Sequence, residues 1–146
     1  MSLRELYQEM IVDHGKSPRN IGALSHATHT HAGHNPLCGD KLKIYLIEAS
    51  GTIQNVQFEG EGCAISMASA SLMTEMIKGK TISEVKILFD DFHCLVTTGT
   101  ANETSLGKLF VFGGVAEFPI RVKCATLAWH TLKAALDGEK TSVSTE

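Results

Sequence analysis

Residues 41–59, KLKIYLIEASGTIQNVQFE, decide the fold. Leu42, Ile44 and Leu46 alternate with Lys41, Lys43 and Tyr45, the period-two pattern of a strand with one buried face. Ser50-Gly51 is a turn signal, and residues 52–59 return as a second strand with Val56 and Phe58 on one face. Upstream, residues 27–34 set Thr28 and Thr30 against His29 and His31, as a polar edge strand does. Two or three antiparallel strands are expected, with one face in need of cover.

That cover is expected to be helical, from segments before and after the hairpin in the chain. Ser2 and Glu5 form a capping-box pattern, and Leu3, Leu6, Tyr7, Met10 and Ile11 follow at helical spacing until Gly15 and Pro18 stop them. Residues 19–25 read as an extended connection. Residues 64–78 carry Ile65, Ala68, Leu72 and Met76 on one stripe and end at Gly79. Thr81 with Glu84 is a second capping box, continued by Ile82, Val85, Phe89 and Phe92. Residues 97–103 read as a polar loop and residues 106–112 as a short helix before Gly113-Gly114. Pro119 suits the first turn of a last helix, where Val122, Ala125, Trp129, Leu132 and Leu136 keep an alternating three-four spacing up to Gly138. Strands followed by helices, without βαβ alternation, make an α+β fold. Residues 1–138 read as one domain and residues 139–146 as a polar tail expected to fray.

Composition narrows the function. A formal net charge of −3 does not carry the basic footprint of general nucleic-acid binding. No apolar run reaches the roughly 18 residues that span a bilayer. The first ten residues lack signal-peptide architecture, so a cytoplasmic protein is expected. There thiols stay reduced, and the four cysteines are not evidence for two disulfides. Metal binding, sulfur chemistry and simple burial remain open.

Local context separates the cysteines. Cys38 lies in Asn35-Pro-Leu-Cys-Gly-Asp40, a loop that presents a thiolate, with the Asp40 carboxylate in reach of the same metal or hydrogen-bond network. Cys63 follows Glu59-Gly-Glu-Gly62 at the start of a helix, whose positive end favours a thiolate. Cys124 lies early in the last helix beside Lys123, with Arg121 on its face, and positive neighbours lower a thiol pKa. Three thiols and a carboxylate suit zinc, and thiolates also hold iron–sulfur clusters. The spacings of 25 and 61 positions, with no CxxC pair, are weak evidence of convergence by themselves.

The ordered motifs Leu6-Tyr7, Asp13-His14, Pro18-Arg-Asn-Ile-Gly22, Asn35-Pro36 with Cys38-Gly-Asp40, Gly60-Glu-Gly-Cys-Ala-Ile-Ser66 and Arg121-Val-Lys-Cys-Ala125 resemble the IscU/NifU N-terminal family, nearest its SufU branch of zinc-dependent sulfurtransferases. The resemblance runs to about Leu136. It implies an IscU/SufE-like α+β sandwich: a small antiparallel sheet of about three strands, covered on one face by helices, with a metal site at one end. It implies Cys38, Asp40, Cys63 and Cys124 as metal ligands, Zn(II) as the metal, and Cys38 as the thiol that accepts sulfur. The donor it implies is a pyridoxal-phosphate cysteine desulfurase of the SufS kind, and the recipients are iron–sulfur assembly or acceptor proteins, with neither nucleic acid nor membrane involved. Arg121 and Lys123 are then supporting or partner-facing residues.

The sister IscU branch implies the alternative, a scaffold that builds and transfers a [2Fe-2S] cluster, with iron in place of zinc, on Cys38, Cys63 and Cys124. This chain departs from that branch in having Lys123 where a histidine precedes the last cysteine, and Glu117-Phe-Pro-Ile-Arg-Val-Lys123 where LPPVK recruits a chaperone. It shares with SufU an extended segment at residues 98–117. A third function is a structural zinc module without catalysis. No HExxH or PCxxC pattern supports a zinc hydrolase.

Other conspicuous residues read as structural. Cys94 beside His93 is expected to be a buried thiol, and His26, His29, His31 and His34 the solvent face of an edge strand. His14 is expected to cap or pack its helix, Trp129 to lie in the core, and Met67, Met73 and Met76 to fill it.

Overall fold

The alternating stretch folds as read. In a computed structural model, which describes residues 3–145, Asp40–Ala49 (β2) and Thr52–Glu61 (β3) form an antiparallel hairpin. Its turn, Ser50-Gly51, takes left-handed φ values of 54° and 79°, the backbone that matches strand twist in a two-residue hairpin. Leu42, Ile44 and Leu46 face inward beside Val56 and Phe58. An irregularity at Ile47/Glu48 shifts the register by one residue and brings Ile53 to the same buried face. The connection at residues 19–25 runs along β3, with the Gly22 N–H donating to Phe58 O at 2.9 Å.

His29–Asn35 (β1) pairs antiparallel with β2. The alternation of histidine and threonine holds, but the buried face is the opposite one: His31 is buried and Thr30 exposed. Nor does β1 end the sheet. The tail, expected to fray, supplies a fourth strand, Val143–Ser144 (β4), parallel to Gly33 and His34. The order is β3-β2-β1-β4, so the sheet is mixed. His31 Nε2 meets Thr141 O at 2.7 Å and the Thr145 N–H donates to His34 O, which fastens the tail.

Among the described residues the helices are Leu3–Lys16 (α1), Ala64–Ile77 (α2), Ile82–Thr98 (α3), Glu103–Leu106 (α4) and Pro119–Asp137 (α5), and the long ones build the layer over one face of the sheet. The Ser2 half of the first capping box lies outside the described residues. The second box forms completely: Thr81 Oγ1 accepts the Glu84 N–H at 3.1 Å, and Glu84 Oε1 accepts the Thr81 N–H at 3.0 Å. Helix α3 continues through residues expected to be loop and stops at left-handed Gly99, φ 83°. Residues Gly107–Glu117 wind as 3₁₀ turns that bury Leu109, Val111, Phe112 and Val115.

Helices α2 and α5 lie directly on the sheet; α1 packs on α2, and α3 on α5. This position explains why α2 is buried all round rather than along one stripe. Its small residues allow close approach, and the hydroxyls of Ser69, Ser71 and Thr74 find partners. Ser69 Oγ donates to Ala125 O and accepts the Trp129 Nε1–H at 3.2 Å, while Ser71 Oγ accepts the Arg19 N–H at 2.8 Å. Trp129 is 1% exposed and stacks on Phe92 with ring centroids 4.8 Å apart. His14 is buried against Ser71 and packs the α1–α2 seam. No helix among the described residues is long and apolar enough to cross a membrane.

Candidate metal centre

The antiparallel hairpins place the β1–β2 turn and the end of β3 at one end of the sheet. Helix α2 starts there because only Gly62 and Cys63 separate it from β3. Cys38 stands in the β1–β2 turn, Asp40 opens β2, Cys63 is the N-cap of α2, and Cys124 lies early in α5.

The ligand atoms of Cys38, Asp40 and Cys124 all lie within 4.8 Å of one another. The two sulfurs are 3.1 Å apart. Cys63 joins through the carboxylate, its Sγ 3.9 Å from Asp40 Oδ2. Cys38 and Cys63 are half-buried, and Cys124 and Asp40 are buried. Asp40 Oδ1 accepts the Cys63 N–H at 2.9 Å. That contact explains Gly62: a Cβ there would lie 2.3 Å from Asp40 Oδ1. The Cys63 sulfur caps α2 by accepting the Ser66 N–H at 3.4 Å.

The thiols do not behave as their basic neighbours suggest. Burial pushes the Cys124 thiol far up, and its contacts with Cys38, Cys63 and Asp40 push the same way. Burial also raises Cys63, opposed by the Ser66 N–H, so the helix end does not prevail. The expectation that positive neighbours lower Cys124 is therefore reversed, because α5 turns those side chains elsewhere. The Arg121 guanidinium lies over the Phe118 ring at 4.5 Å, and Lys123 lines an open cavity of about 500 Å³ with His93, His130 and the tail.

The donor set fits a thiophilic cation. Two thiols and one carboxylate, those of Cys38, Cys124 and Asp40, converge closely enough to share one cation, with Cys63 at the edge of the group. Asp40 is fully buried and forms no ion pair with Lys, Arg or His among the described residues. The hydroxyl of Ser66, in the first turn of α2, is also buried without a hydrogen-bond partner among them. A buried carboxylate without a counter-charge is costly, and a bound cation removes that cost.

Asn35 belongs to this cluster, although the sequence reading assigns it no role. It is fully buried at the end of β1, with Nδ2 3.5 Å from Asp40 Oδ2 and 3.5 Å from Cys124 Sγ. Its place at the head of the Asn-Pro-Leu-Cys-Gly-Asp turn is the one signal available in the chain. Cys94 departs in the other direction. It is exposed rather than buried, on the solvent side of α3, with its sulfur 3.4 Å from Thr100 O.

Residues 6–140 match the NifU-like N-terminal domain. The chain belongs to the NifU-like N-terminal domain family. A zinc-dependent sulfurtransferase SufU from Bacillus subtilis is 38% identical over 95% of this chain and 95% of its own. An iron–sulfur cluster assembly scaffold protein IscU from Thermotoga maritima is 38% identical over 93% of this chain and 96% of its own. Among solved structures, an iron–sulfur cluster assembly scaffold protein for the SUF system from Fervidobacterium islandicum AW-1 superposes with a TM-score of 0.85. It is 36% identical and covers 92% of this chain and 99% of its own. The sheet with helices on one face is thus a fold that this chain shares with that solved structure.

Proposed function

We propose that this protein serves iron–sulfur cluster assembly as a zinc-dependent sulfur relay, with Cys38 accepting sulfur from a cysteine desulfurase. The observation that carries this reading is the asymmetry of the centre. Asp40 and Cys124 are buried, whereas Cys38 is half-exposed in a turn, within 4.8 Å of both. Similarity to the Bacillus SufU along nearly the whole chain supports it.

Zinc, held by Cys38, Asp40, Cys63 and Cys124, would keep the thiols deprotonated at neutral pH without redox chemistry of its own. Cys38 Sγ attacks the outer sulfur of the desulfurase persulfide as a thiolate. The donor's S–S bond breaks, its cysteine leaves as a thiolate, and Cys38 carries the sulfur as a persulfide. The turn between Pro36 and Gly39, whose φ is 71°, sets this thiol on a short loop rather than on a helix or strand. Exposed Leu37 beside Cys38, and Phe118 and Ile120 at the start of α5, offer apolar contact to the donor.

The test is desulfurase turnover with wild type and Cys38→Ala, with mass analysis of the zinc protein after incubation with desulfurase and cysteine. Loss of stimulation in the variant and a gain of one sulfur on Cys38 are expected. Undiminished stimulation, or an inert Cys38, overturns the relay; an inert site with tightly held zinc indicates a structural module.

The equal identity to the Thermotoga IscU favours one second reading, a scaffold on which a [2Fe-2S] cluster is built as cargo. A visible chromophore after reconstitution that passes to an apo-ferredoxin would establish it. Strong stimulation by the colourless zinc form would instead favour relay.

A further inference from the structure

We propose that Asn35 is a positioning residue of the metal centre, whose buried amide holds the Asp40 carboxylate and the Cys124 sulfur in place as ligands. This rests on the metal-centre reading above and not on the sulfur-relay step.

Three contacts fix its role. Asn35 Oδ1 accepts the Leu37 N–H at 3.2 Å, which turns the amide so that its NH₂ group faces the ligands. From there Nδ2 points to Asp40 Oδ2 and to Cys124 Sγ, each at 3.5 Å. One planar group with two N–H bonds thus spans two ligands that are 84 positions apart in sequence. The Asn35 backbone adds a third link, its carbonyl accepting the Cys38 N–H at 3.3 Å.

The residue is fully buried, so the two donor hydrogens have no water to turn to. Both hydrogens are committed to the two ligand atoms, which fixes where the carboxylate and the sulfur stand. The centre is then sorted by its surroundings. Cys63 is held by the Ser66 N–H, Asp40 by Asn35 and the Cys63 N–H, and Cys124 by Asn35. Among the described residues the Cys38 sulfur has one hydrogen-bond partner, the Cys124 sulfur. Asn35 helps to make Cys38 the ligand least tied to the protein.

The experiment compares wild type with Asn35→Ala and Asn35→Asp. The aspartate variant keeps the size and the acceptor for Leu37 but has no N–H to donate. Zinc affinity is measured by competition with a chromophoric chelator, the cobalt(II) form by its absorption, and the metal-free form by thermal melting. Loss of an outer-shell hydrogen bond lowers metal affinity roughly 10- to 100-fold. Both variants are expected to show that loss, with the sulfur-to-cobalt charge-transfer band moved to longer wavelength. A thiolate relieved of its hydrogen bond gives up electron density more easily.

A lower melting temperature with affinity and band unchanged makes Asn35 a packing residue and overturns the proposal. Failure of both variants to fold overturns it in the same way; if only one folds, that variant decides. A wild type that takes up neither zinc nor cobalt removes the metal centre and this proposal together. Because no desulfurase enters the experiment, failure of the relay reading leaves its outcome untouched.

Discussion

Gly62→Ala tests whether the approach of β3 to Asp40 builds the centre. The added Cβ would stand 2.3 Å from Oδ1 and 2.9 Å from Cγ of Asp40, and 3.0 Å from its Cα. The carboxylate has no flexible stem on which to yield, because it opens a strand and is fully buried. To reach ordinary contact the oxygen has to retreat by about 1 Å. The Cys63 N–H···Oδ1 distance, now 2.9 Å, then passes beyond hydrogen-bonding range. A hydrogen bond to a charged group contributes about 1.5–3 kcal/mol. A loss of about 2 kcal/mol from the bound state corresponds to roughly 30-fold in metal affinity. Gly51→Ala is the control. Its φ of 79° also disfavours a side chain, but nothing lies within 4 Å of the added carbon. It is expected to cost about 1 kcal/mol of stability and leave zinc affinity unchanged. The assay is chelator competition for zinc with both variants, beside chemical denaturation of the metal-free forms. Wild-type zinc affinity in a folded Gly62→Ala would refute the reasoning.

Three further outcomes follow from the geometry. Burial holds the His14 imidazole below its ordinary pKa of 6.5, with Arg19 adding to the shift and Glu75 opposing it. The unfolded chain therefore takes up this proton first, so stability is complete above about pH 6.5 and falls as pH drops from there through the lower folded value. His14→Gln should flatten that part of a melting-temperature profile, and an unaltered slope would contradict the assignment. Trp129→Ala removes the indole stacked on Phe92 and the donor to Ser69, and should cost about 3–5 kcal/mol in denaturant titration. Cys94→Ser, on an exposed face, should change stability by less than about 0.5 kcal/mol and leave the zinc content measured by elemental analysis as it was.

The hairpin was legible because alternation reports directly which side chains share a face, and Leu42, Ile44 and Leu46 do. The capping box at Thr81 and Glu84 was legible because its partners are three residues apart and need nothing else. Helix α2 shows where such reading stops. Its stripe of Ile65, Ala68, Leu72 and Met76 is real, yet Ser66, Ser69, Ser71 and Thr74 are buried too, because α1, α5 and the sheet surround them. Cys94 fails for a related reason. Cysteine is usually buried, but the face of α3 that carries it is the one turned to solvent. The burial of His31 is invisible locally, because nothing near it in sequence reveals that residues 141–145 return to cover its strand.

At the centre, chain-local signals picked out the reactive contexts: a proline–glycine turn around Cys38, glycines before Cys63, a helix start near Cys124. Those contexts, and the elements that carry them, follow from the sequence alone, since they depend on backbone preference over a few residues. The tertiary structure alone decided that Asp40 and Cys124 meet and that Asn35 bridges them. It also decided that the Cys124 thiol is raised rather than lowered. Each of these depends on which faces α5 and the sheet turn toward one another, and burial against a distant element outweighs a charge that is merely adjacent in sequence.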